Sequence, residues 1–177
     1  MEWQLPIQKM EISNIQIGSP WMYSEKVEKP IAPLSYFSPQ FRMPSLSLLF
    51  PPLPIVDYSP QTGRLVLDIA ETNLACIKLN TLQETLIAAL AFHQASWFKT
   101  SYTVQQIRAG FQLLLNGTHL HFHCFRDAAD LQVGSRIRLA VKFHGLSFLM
   151  QQSESGPTWG GQCRLQHRVI GLIHLSA

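Results

Sequence analysis

The stretch "GSRIRLAVKFHG", residues 134–145, alternates almost without error. Arg136, Arg138, Lys142 and His144 share one parity, with Ala140 as the interruption. Ile137, Leu139, Val141 and Phe143 share the other. Successive side chains of a β-strand point to opposite faces, so this segment reads as a strand with one apolar and one basic face. Such a strand either lies half-buried at a solvated surface or turns its outer face to a polyanion. One strand cannot decide, so its neighbours must.

Two other segments divide in the same way. In "THLHFHCF" (118–125), His119, His121 and His123 oppose Leu120, Phe122 and Cys124. In "QCRLQHRV" (162–169), Gln162, Arg164, Gln166 and Arg168 oppose Cys163, Leu165, His167 and Val169. None of the three outer faces carries a carboxylate. A solvated face ordinarily mixes both signs, because like charges opposite one another destabilise a sheet. If the three strands are neighbours, their outer faces form one patch of Arg136, Arg138, Lys142, Arg164 and Arg168. The histidines, including His144, would surround it. A face of that kind suits an anionic partner.

The rest of the second half also reads as β. "FQLLL" and "THLHFHCF" flank Asn116-Gly117, a strong hairpin signal. The 136–144 strand bends at Gly145 into "LSFLMQ", and a Gly/Ser/Pro loop at 153–157 leads to two further segments, "WGGQCRLQHRV" and "IGLIHLSA". Upstream, "GRLVLDIA" (63–70) reads as a strand. "TLQETLIAALAFHQA" (81–95) reads as a helix opened by a Thr81/Glu84 capping box, and a second short helix is expected from Thr103 to Gly110. Ten of the eleven prolines lie between Pro6 and Pro60, which excludes a continuous sheet or a long helix there. Eight aromatic residues within the first 60 positions argue against a disordered linker. The expected fold is mainly β (β-rich α+β). It comprises a small antiparallel OB-like barrel over 61–177 with one or two short helices, and an extended Pro-rich N-terminal arm over 1–60. The arm packs on its own domain or on a neighbouring subunit.

Charge is uneven along the chain. Residues 1–96 hold six Lys/Arg against eight Asp/Glu, whereas residues 97–177 hold eight against three and six of the seven histidines. The basic half coincides with the β half. Cys76, Cys124 and Cys163 are odd in number and widely spaced, so neither a disulfide framework nor a cysteine-rich zinc site is expected. The N-terminus lacks the pattern of a secretory signal, and the apolar run "MPSLSLLFPPLPIV" contains four prolines. The chain reads as soluble and intracellular, not secreted, with no membrane partner.

No P-loop, G-x-S-x-G or G-x-G-x-x-G is present, and no paired carboxylates accompany the histidine row. The H-x-H spacing at His119, His121 and His123 is known among zinc ligands, but the acids Asp127 and Asp130 fall in the following loop. We therefore expect no enzyme, no cofactor and no metal. Single strands are held by cations along the backbone and by aromatic rings on which bases stack. Phe148 and Trp159 are the candidate stacking rings. Trp159 lies among small residues in "SGPTWGG", where it is either exposed at a loop end or closes the core.

Residues 97–168 resemble a family of small proteins of nucleocytoplasmic large DNA viruses, related in pattern to their single-stranded DNA-binding proteins of OB type. The features are "WFK" at Trp97, Phe98 and Lys99, then Phe111, then "LQVGSRIRLAVKFHGLSF", then "GPTW" with Gly156 and Trp159, then Gln166. Ser147 and Gly160 stand where that family often has an aromatic residue and a lysine. The resemblance implies binding of single-stranded DNA in viral replication or genome protection. The expected function is thus sequence-independent binding of single-stranded DNA or RNA through Arg136, Arg138, Lys142, His144, Arg164, Arg168, Trp159, Phe148 and Lys99, with self-association through the arm. The alternative is a structural or assembly protein of the virion.

Overall fold

The computed structural model describes residues 3–21, 29–40, 42–124 and 131–175. In chain order these form β1 (Leu5–Pro6), β2 (Ile15–Ile17), β3 (Ile31–Phe37), β4 (Arg42–Met43), β5 (Leu46–Leu49), β6 (Leu53–Ser59) and β7 (Arg64–Asp68). Two helices follow, α1 (Leu74–Phe98) and α2 (Val104–Gly110). Then come β8 (Phe111–Gln112), β9 (Leu115–Asn116), β10 (His119–His123), β11 (Arg136–Ser153) and β12 (Gly156–Leu175).

The quoted stretch opens the central strand. β11 runs for 18 residues and pairs along one edge with the 20-residue β12, turning back between Ser153 and Gly156. Its other edge is shared by three strands from the Pro-rich segment. Arg136 and Ile137 pair with β6, Ala140–Phe143 with β5, and Gly145–Ser147 with β3. Prolines explain the subdivision, because a residue without an N–H cannot continue a ladder. Pro51 and Pro52 separate β5 from β6, and Pro44 precedes β5. Each short piece therefore covers one stretch of β11.

The described residues of the Pro-rich segment thus pack on the chain's own domain. Leu5, Ile7, Leu34, Tyr36, Leu46 and Phe50 lie in the same core as Leu79, Phe122, Phe143 and Trp159. β6 ends just before the expected domain boundary and pairs across it with β7. The described strands join one 12-stranded sheet, antiparallel except where β1 meets β5 and β8 meets β12. Its main path runs open from β1 to β9, with β12, β3 and β8 branching from it.

Gly145 is where β11 changes parity. Inward residues are Ile137, Leu139, Val141 and Phe143 before it, and Leu146 and Phe148 after it. Its φ is +153°, and a Cβ there would stand 2.1 Å from the Ala32 carbonyl oxygen. Only glycine lets β3 approach this closely while the strand kinks.

The helices correct one expectation and meet another. α1 is 25 residues long, not short, and begins at Leu74 behind Asn73, whose side chain accepts the Ala75 N–H. The Thr81/Glu84 pair is mid-helix: the Thr81 hydroxyl donates to the Ile77 carbonyl, and Glu84 pairs with Arg108 of α2. Asn73 is itself a favourable cap, and burial of Ala75, Cys76 and Leu79 extends the inward face a full two turns earlier. By length and composition α1 could cross a membrane, but this inward stripe packs into the core. α2 follows the expected Thr103/Gln106 capping box and ends at Gly110.

The Asn116-Gly117 hairpin forms, with Gly117 at φ +64° and Asn116 paired to His119. However, "FQLLL" is not one strand. Phe111 and Gln112 run parallel to β12, while the Leu114 and Leu115 N–H groups both donate to the Gln83 side-chain oxygen. A buried glutamine on α1 therefore takes the place of a strand neighbour.

Candidate nucleic-acid interface

β11 and β12 bring their outer faces together as expected. Lys142 lies directly opposite Arg168, Ser147 opposite Arg164, and Arg138 opposite Ile173. The apolar residues pair on the reverse side, Val141 with Val169 and Phe148 with Cys163. Arg136, Arg164 and Arg168 are exposed, and Arg138, Lys142 and His144 are half-buried. The Arg138 Nε–H donates to the Phe50 carbonyl at 3.2 Å, which fixes that side chain against β5. At roughly 3.3 Å per residue, the four positions from Arg164 to Arg168 span about 13 Å. Two like charges in register repel one another across a ladder.

The third strand is not a ladder neighbour. β10 pairs with β7 and β9, and touches β12 where the His123 N–H donates to Nε2 of His167 at 3.2 Å. The expected single patch is therefore a two-stranded row with a histidine strand meeting its edge.

Two pockets lie along that edge. The larger, about 500 Å³, includes Lys29, Gln112, Ser147, Gln162, Arg164 and Gln166 in its wall. The smaller, about 230 Å³, includes Arg64, Gln112, His121, His123, Arg164 and His167. Arg164 and Gln112 belong to both, so the two pockets adjoin. Neither is lined by a carboxylate among the described residues. Guanidinium, ammonium, amide and imidazole groups thus converge on a concave strip. Cys163 also borders the larger pocket, with its thiol pushed up to about 12 by burial, and it stays protonated. Among the described residues no three His, Cys, Asp or Glu side chains are placed to hold a metal ion.

His167 is the structural histidine of this strip. Its Nε2 accepts from His123 and its Nδ1 lies 3.3 Å from the Leu165 carbonyl, an arrangement that suits the neutral ring. Burial lowers its pKa from the ordinary 6.5 to about 4, with the charges of His123, Arg164 and His144 adding to the effect. The unfolded chain therefore binds this proton before the folded one does. Stability is full above about pH 6.5 and is lost as pH falls toward 4, by up to roughly 3 kcal/mol. Urea unfolding of the wild type and His167→Gln across that range should show the wild type losing the additional stability. Parallel curves would refute the assignment.

Three expected contacts are placed differently, although Phe148 borders the larger pocket. Trp159 and Phe148 are each 1% exposed, so neither offers a face to a base. They pack with Phe98, whose ring lies 5.1 Å from Trp159 and 4.8 Å from Phe148. Of the two readings open for Trp159, the core one holds: its indole N–H donates to the Gln162 carbonyl, and Tyr102 donates to its own carbonyl. Lys99 ends α1 in a left-handed conformation, φ +56°, and lines neither pocket. Asp127 and Asp130 lie outside the described residues.

The sequence reading missed Lys29, Arg64, Gln112 and His167. Arg64 opens its strand on the outward parity, which was a usable sign. Its place beside His123 follows only from the β7–β10 register. No family model, curated protein or solved structure matches this chain.

Proposed function

We propose that this β-rich α+β protein binds single-stranded nucleic acid, largely without sequence preference, along the outer face of β11 and β12. The observation that carries the reading is the pair of adjoining pockets lined by cations and amide donors, with no carboxylate among the described residues, centred on Arg164. Arg164, Arg168, Lys142 and Lys29 contact phosphates, with Arg138 and Arg136 extending the row along β11. His144 sits at the bulge beside them. With Trp159 and Phe148 buried, affinity comes from the backbone charge and not from stacking. The resemblance to the viral OB-type family supports DNA as the partner and a role in viral replication or genome protection inside the host cell. Under this reading the β11–β12 pair is the counterpart of the binding strands of an OB barrel.

Oligo(dT) binding measured by fluorescence anisotropy against salt tests it. Four to five phosphate contacts predict a slope of log K on log salt of about −3. Binding insensitive to salt, or absent at about 50 mM salt, would defeat the proposal.

A structural role in a virion is favoured by a different observation. α1 leaves Leu74, Ile77 and Phe92 exposed, Phe92 by 80%, on a face that suits protein contacts. Deleting residues 1–60 does not separate the two readings, because that segment supplies the neighbours of β11. Phe92→Asp does: it should abolish assembly under the structural reading and leave oligo(dT) binding unchanged under the first.

A further inference from the structure

The smaller pocket has a feature that the larger one lacks, a titratable side chain between two guanidinium groups. His121 lies in the middle of β10, half-buried, opposite Val66 of β7. Arg64 stands two pairs along on the same face, opposite His123, and Arg164 closes the pocket from β12. The remaining charged or titratable groups around it are His119 and His123 on its own strand, His167 on β12, and Asp68 opposite His119 on β7. Asp68 shares the face of His119 and Arg64 but is not among the residues lining the pocket, which include no acid among the described residues.

We propose that this pocket is a phosphate subsite whose occupation is coupled to the uptake of one proton by His121. The proposal rests on reading the strip as a polyanion surface. A neutral imidazole offers one N–H; the imidazolium offers two, and a positive charge. Partial burial and the charges of Arg64 and His119 hold the pKa of His121 below its ordinary value. A phosphate between Arg64 and Arg164 reverses that balance, since it neutralises the guanidinium groups and prefers a charged donor. By linkage, whatever raises the proton affinity of His121 on binding must strengthen binding as pH falls. His167 takes no part above pH 5, because its neutral form is held by the His123 N–H and burial.

The ligand for the test is a short oligo(dT), because neither its phosphodiesters nor its thymines titrate between about pH 8 and pH 5.5, where histidine does. Affinity is measured at fixed salt across that range for the wild type, for His121→Gln and, as a control on the far end of β12, for His174→Gln. In the wild type and His174→Gln, log K should rise with a limiting slope approaching one per pH unit, and His121→Gln should lose most of that slope. The imidazole resonance of His121 should also titrate at a higher pH when the oligonucleotide is saturating. Equal slopes in the wild type and His121→Gln, or an unmoved midpoint, would overturn the coupling while leaving salt-dependent binding intact. No binding at any pH would remove the polyanion reading itself, and the subsite with it.

Discussion

Trp159→Ala is expected to destabilise the fold by about 3–5 kcal/mol, the cost of emptying a large aromatic site in a packed core. The ring lies within 5.5 Å, centroid to centroid, of Phe98, Tyr102 and Phe148, and little of it reaches solvent. The Tyr102 hydroxyl bond to the Trp159 carbonyl ties the loop after α1 to β12, and the Phe98 ring brings α1 against the same tryptophan, whose N–H bond to Gln162 lies within β12. A stacking platform would behave in the opposite way: stability would hardly change, and each lost base contact would cost about 1–3 kcal/mol of binding. Trp159→Leu separates the cases, because it keeps an apolar side chain and loses the ring. Well below its melting temperature, its oligo(dT) affinity should stay within about twofold of wild type, since no stacking contact is lost. A drop of tenfold or more in a folded Trp159→Leu protein would mean that the ring reaches nucleic acid in solution.

Arg164→Glu is expected to reduce oligo(dT) affinity by about 100-fold while changing stability by less than about 0.5 kcal/mol, the usual range for an exposed site without a specific partner. Arg164 is exposed and makes no salt bridge among the described residues, so the fold does not depend on it. It is, however, shared by both pockets, and it adds to the field that keeps His167 neutral. Charge reversal removes one phosphate contact and repels the next. Arg164→Ala, which only removes the contact, should make the salt slope shallower by about 0.7. Anisotropy titrations at several salt concentrations, with thermal melts of the same samples, read both quantities. An unchanged slope in Arg164→Ala would displace the centre of the site from this residue.

Much of the site was legible because strand alternation is local. Parity alone places Arg138, Lys142, Arg164 and Arg168 outward and Val141, Phe143, Cys163 and Leu165 inward, and the structure has them so. Trp159 obeys the same rule: it shares parity with Cys163 and Leu165, a stronger indication than its small flexible neighbours. The extent of α1 was less legible. Thr81 and Glu84 satisfy a capping pattern, and what overrides it is the burial of Ala75, Cys76 and Leu79 behind the Asn73 cap. Of the histidine strand, only the hairpin with β9 followed from local pattern; its places beside β7 and β12 did not. Its contact with β12 passes through His167, which parity assigns to the interior.

From the residues alone follow the strand character of 136–144, the faces of β10, β11 and β12, the α2 cap and the breaks that proline imposes. These depend on interactions within a few positions along the chain. Which strands become neighbours is decided only when distant segments compete for the same apolar surface and the same ladder bonds. β11 took β3, β5 and β6 along one edge and β12 along the other, and α1 filled the inner side. That competition set Arg64 beside His121 and Arg164, because burial and backbone pairing are satisfied over the whole molecule at once.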